Sequence, residues 1–139
     1  MIRPVIPDTR CGDITFHANG RIDITAHISA QLHLSEGDIL DIAVSDDRIH
    51  EYYLYVKHRS GELLGRHCCR CHVVKGHGRY MRMFSKRLSS YMLNIAHVTE
   101  KVTFKTGETK HVPGIGEAMI LITHTRIPQQ TFQPKNLST

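Results

Sequence analysis

No run of apolar residues in this chain approaches the ~18 needed to cross a bilayer as a helix, so no transmembrane helix is expected among its 139 residues. The start, Met1-Ile2-Arg3-Pro4-Val5, carries no apolar stretch of the kind that forms a secretory signal. The expected setting is therefore cytoplasmic. Cysteine is scarce and crowded. Of the four, Cys68, Cys69 and Cys71 fall within four residues and Cys11 stands alone, which is poor spacing for a disulfide framework. Catalytic signatures are missing as well. There is no nucleophile elbow, no phosphate loop and no helical His-Glu-x-x-His. Gly114-Ile115-Gly116 is a lone Gly-x-Gly in a loop between strands, outside the strand-to-helix setting of a nucleotide site. The chain is thus not expected to be an enzyme, and no cofactor is expected.

What remains is enough for one packed domain. Hydrophobic residues make up 40% and charged residues 22%, too apolar for wholesale disorder. The eleven histidines make the charge responsive to mild acid. Net charge is +5 but uneven: residues 1–51 carry −5, residues 57–87 carry +8 with four histidines besides, and residues 88–139 carry +2. A basic centre of this size points to a polyanion, most simply duplex DNA. The competing reading is a solvated basic face with no partner.

Hydrophobic periodicity is mostly two, broken by two helices. Asp13–His17 and Arg21–Thr25 read as strands joined by Asn19-Gly20, a strong hairpin signal. Ala26–Leu32 reads as a short amphipathic helix with Ile28 and Leu32 four apart. Strands follow at Ile39–Val44 and Ile49–Lys57. The tyrosines of the latter, Tyr52, Tyr53 and Tyr55, suit a pleated surface better than a base-stacking platform. Leu63–Lys75 reads as one or two strands, Arg79–Met83 as another, and Ser85–Leu93 as a second helix with Ser85 as its N-cap. Val98–Lys105 alternates, with Val102 and Phe104 facing one way and Thr103 and Lys105 the other. Thr106-Gly107-Glu108 reads as a turn, and Ala118–His124 as a well-covered strand. The domain expectation is an extended arm over 1–10, a first half-repeat over 11–58, a second and more basic one over 59–126, and a polar tail over 127–139 that is expected to be mobile. Gly20-Arg21 with Ile28 and Leu32 is matched by Gly78-Arg79 with Leu88 and Met92. The offset is 58 at the glycine and 60 at the helix.

Asn19-Gly20-Arg21-Ile22-Asp23-Ile24, then Ile28 and Leu32, then Glu36-Gly37-Asp38-Ile39-Leu40-Asp41-Ile42 resemble the AbrB/SpoVT swapped-hairpin family, which also takes in MazE-type antitoxins and two-repeat MraZ-like regulators. The match is close over residues 14–44, with a second copy suspected over 72–124. The resemblance implies a mainly β fold with two short helices, an AbrB-like swapped-hairpin β-barrel made of two half-repeats whose interlocking removes open sheet edges. It also implies a core of Ile22, Ile24, Ile28, Leu32, Ile39, Leu40 and Ile42. The function it implies is DNA binding in transcription regulation, or an antitoxin-like or other protein-interaction module that keeps the fold without binding DNA. A homodimer and a toxin-like protein partner are further expectations; a membrane is not. Arg21 matches a DNA-contacting arginine of the family. Ser29 and Ala30 stand where many members carry arginines, so more of the contacts are expected in the second half.

The candidate nucleic-acid contacts are Arg21, Arg66, Arg70, Lys75, Arg79, Arg82, Lys86 and Arg87. Phosphate oxygens need long cationic donors, and arginine can also fork onto guanine. Lys86 and Arg87 open a helix, where cations oppose the macrodipole unless an anion docks there. Within His67-Cys68-Cys69-Arg70-Cys71-His72, the residues Cys69, Cys71 and His72 offer zinc-ligand chemistry. The sequence has no second Cys-x-x-Cys, and the competing reading is a half-buried strand using cysteine as a small hydrophobe.

Overall fold

The computed structural model describes residues 13–46, 50–61, 70–74 and 78–123. The expected arm over 1–10 and tail over 127–139 lie outside these residues. Within them the chain runs β-β-α-β-β twice: β1 (Ile14–His17), β2 (Arg21–Ile24), α1 (Ala26–Gln31), β3 (Ile39–Val44), β4 (Tyr52–His58), then β5 (His72–Val73), β6 (Met81–Phe84), α2 (Lys86–Ala96), β7 (Lys101–Val112) and β8 (Gly116–Ile122). The protein is mainly β. Neither helix is long and apolar enough to cross a membrane.

All eight strands join one antiparallel sheet in the order β3-β4-β8-β7-β1-β2-β6-β5. The sheet curls until its two edges meet. Gly37 N–H donates to the Cys71 carbonyl at 2.8 Å and Cys71 N–H to the Asp38 carbonyl at 2.7 Å, so the chain entering β3 is bonded to the chain entering β5. Glu36 reinforces the seam by accepting from Val73 N–H at 2.7 Å and by contacting His72 Nδ1 at 2.6 Å. These bonds hold the Glu36 carboxyl below its ordinary range. An edge strand of two residues that is tied down in this way offers little template for aggregation.

The alternation read from the sequence decides which face is inside. Ile14, Phe16, Ile22, Ile24, Met81, Met83, Val102 and Phe104 all point into the core. Phe16 and Phe104 meet edge-to-face at 5.9 Å. Ile28 of α1 and Leu32 just beyond it, and Met92 and Leu93 of α2, are buried in the same cluster. Ile42 is half-buried and packs on its margin. Six residues of α1 could not hold a helix alone. Arg59 stabilises its end by donating to the Leu32 and His33 carbonyls while pairing with buried Asp38 at 3.0 Å. In α2, Ser85 is the N-cap and accepts from Leu88 N–H. His97, in the left-handed region at φ 59°, ends the helix three residues beyond the expected limit.

The expected turn at Thr106-Gly107-Glu108 is corrected: β7 runs through it. The register shifts between Thr106 and Thr109, a bulge that absorbs the turn-forming residues. Thr106 donates from N–H and Oγ1 to the fully buried Asp13 carboxylate, at 2.8 and 2.6 Å, a long-range demand that local propensity does not contain. Several boundaries also move: β7 begins at Lys101 and not at Val98, and β8 begins at Gly116 and not at Ala118. β6 begins at Met81 and not at Arg79, and Asp13 precedes β1 as a bend.

The β1–β2 turn keeps the Asn19-Gly20 signature, with Gly20 N–H donating to the His17 carbonyl and Asn19 Oδ1 accepting from Arg21 N–H. Gly20 has φ +98°. A Cβ there would sit 3.1 Å from the Lys86 nitrogen and 3.2 Å from its Cα, both backbone atoms. Gly20→Ala is therefore expected to cost about 1–3 kcal/mol, from positive φ and from the displaced start of α2. In equilibrium urea unfolding the midpoint should fall with an unchanged slope.

Candidate nucleic-acid interface

Strand alternation puts every second residue of β7, β1, β2, β6 and β5 on the outer wall. Register then aligns them in rows. One row crosses five strands as Thr103, Thr15, Asp23, Arg82 and His72. In the next, Lys101 lies opposite His17 and Arg21 opposite Phe84. Lys105 continues the outer face of β7. Asp23 is the only carboxylate among these outward-facing residues. Glu36 and Glu100 stand at the margins.

Asp23 organises the wall. Its Oδ1 accepts from Arg82 Nε at 2.8 Å, its Oδ2 lies 2.8 Å from His17 Nε2, and Arg21 Nε lies 3.3 Å from Oδ2. Burial pushes the Asp23 carboxyl up. The bonds from Arg82 and His17 and the charges of Arg21 and Arg82 outweigh it, and the group titrates below its ordinary value. His17 Nε2 also lies 3.2 Å from Arg21 Nη2. One nitrogen cannot donate to a carboxylate and accept from a guanidinium, so the shorter contact fixes it as the donor to Asp23. Arg21 and Arg82 are both held in place this way, yet 37% of each side chain remains exposed.

The other predicted contacts divide. Lys86 and Arg87 occupy the first turn of α2, both exposed, and the start of that helix abuts the β1–β2 turn through Ser85 N–H to the Gly20 carbonyl at 2.8 Å. Lys86 thereby borders the outer wall. Arg70 donates to the Gly37 carbonyl at 2.8 Å and Arg79 to the Ser29 carbonyl at 3.2 Å. Both tie the second half of the chain to the α1–β3 region. Arg66 and Lys75 lie outside the described residues. His17, Lys101 and Lys105 were not among the expected contacts. Their signal was present in the alternation of Val102–Lys105 and in the parity of β1.

Cys71 and His72 face opposite sides of the wall. Cys71 is fully buried with its Sγ 3.9 Å from Met83 Sδ, and burial pushes its thiol up to about 12. His72 faces out to Glu36. A thiol held protonated in the core is a poor metal ligand at neutral pH. Cys69 lies outside the described residues, and among the described ones no cluster of metal-ligating side chains occurs.

No family model, no curated protein and no solved structure matches the chain.

Asp23→Asn is expected to lower stability at pH 7 by about 1–3 kcal/mol, because Arg82 Nε–H and His17 Nε2–H lose their ionised acceptor. Since the folded pKa of Asp23 is depressed, its contribution is full above the ordinary carboxylate value of about 4 and is lost as pH falls through the lower folded value. The gap between wild-type and variant urea midpoints should therefore close on titration from pH 7 to pH 2.

Proposed function

We propose that the protein binds duplex DNA through the outer wall of β7-β1-β2-β6 and the start of α2, acting as a transcriptional regulator in the cytoplasm. The observation that carries the reading is the pair Arg21 and Arg82. They come from strands 61 positions apart, are fixed by one buried acid, and are flanked by exposed Lys86 and Lys101. Cations held in place lose little side-chain entropy on meeting phosphate, and arginine adds forked hydrogen bonding to its charge. Phosphate contacts of this kind position a protein on the duplex, and arginines reaching base edges would supply sequence preference.

The swapped-hairpin identity belongs to the same proposal. Its support is the reciprocal pairing of the two β-β-α-β-β runs: β2 with β6, β4 with β8, and β1 with β7. The bonds between the chain entering β3 and the chain entering β5 complete the set. In this reading one chain supplies both halves.

A second reading, a protein-interaction module on the same wall, draws on Phe84, which is 54% exposed beside Arg21.

Fluorescence anisotropy with a labelled random-sequence duplex, titrated between about 50 and about 200 mM salt, tests the reading. Binding should weaken steeply with salt. Lys86→Ala/Lys101→Ala should lower the slope of log K against log salt by about 2, since each phosphate neutralised contributes about 0.9. Absence of binding at the lower salt would reject DNA and leave the protein-interaction reading.

A further inference from the structure

On the other side of α2, that helix and the paired ends of β3 and β4 line an open groove of about 410 Å³. That is within the range of small-molecule sites, roughly 300–1,000 Å³. Its floor is aliphatic and thioether: Ile39 and Leu40 from β3, Met83 from β6 and Leu88 from α2, with the half-exposed ring of Tyr91 as one wall. Such a lining adapts to a flexible chain by dispersion and burial and offers little to a polar body.

The rim is charged, and mostly of one sign. Two cations, Lys57 and Arg87, stand on it with His58, against a single carboxylate, Asp41. Asp41 is already answered: its Oδ2 lies 3.5 Å from Lys57 Nζ and its Oδ1 accepts from Ile42 N–H at 2.8 Å. Arg87 has no ion-pair or hydrogen-bond partner among the described residues. It therefore sits beside an apolar floor with its donors uncommitted, and a charge in that position favours an anionic head group over a cationic or neutral one.

We propose that this groove binds a medium-chain aliphatic carboxylate. The chain lies on Ile39, Leu40, Met83 and Leu88, and the carboxylate meets Arg87, with Lys57 and His58 nearby. This site shares the start of α2 with the proposed nucleic-acid face but lies off the Asp23 rows, and the proposal does not depend on DNA binding.

The methionines make the test direct. The protein has five; the four among the described residues are all buried in the core, but of these only Met83 lines the groove. Decanoate is titrated, below its micelle concentration, into protein carrying ¹³C-methyl methionine. The Met83 methyl resonance should shift and saturate while that of Met119 stays in place. Arg87→Ala, at an exposed position, should leave the unliganded spectrum unchanged elsewhere and weaken decanoate about tenfold, the loss expected for one charge-assisted contact. Decyltrimethylammonium should bind more weakly than decanoate. No Met83 shift, equal decanoate affinity in Arg87→Ala, or equal binding of the cationic amphiphile would each overturn the proposal.

Discussion

One carboxylate joins the two halves of this molecule. Asp23 sits on β2, nearly buried, and takes its strongest bond from Arg82 on β6 across the strand pair where the first β-β-α-β-β run meets the second. A buried acid without that bond would be a liability of several kcal/mol. With it, the acid fixes two arginines and a histidine on the outer wall. The inner wall opposite is closed by Ile22, Ile24, Met81 and Met83. Stability of the strand pair and orientation of the surface cations are thus consequences of the same contact.

The basic centre of the sequence does two jobs. Arg59, Arg70 and Arg79 are drawn to backbone carbonyls at the end of α1 and the turn before β3. Lys57 is paired with Asp41. The three arginines add side-chain donors to carbonyls of a short helix and a tight turn. Arg82 and Lys86, with Arg21 from the acidic first third and Lys101 from the last, gather on and beside the outer wall. Segment charge alone therefore did not group these cations; their gathering on one face came from strand register.

Much of the fold was legible locally. Asn19-Gly20 marked the hairpin, Ile28 and Leu32 the first helix, and Ser85 the start of the second; each rests on short-range chemistry. The turn expected at Thr106-Gly107-Glu108 failed because the residue that decides that stretch, Asp13, lies 93 positions away. The same limit applied to the candidate site. Arg21 and Arg82 stood out as cations, but Asp23, which organises them, read as one polar position in an alternating strand. Lys101 and His17 were overlooked because neither lies in the basic stretch. Their pairing across β1 and β7 becomes visible only when the strand order is known.

The central claim is that this wall docks on a polyanion. The most direct measurement is a map of backbone amide shifts in ¹H–¹⁵N spectra as a short random-sequence duplex is added at low salt. The proposal predicts shifts concentrated at β1, β2, β6, the first residues of β7 and the start of α2. Shifts confined to β3, β4 and β8, or none at all, would contradict it.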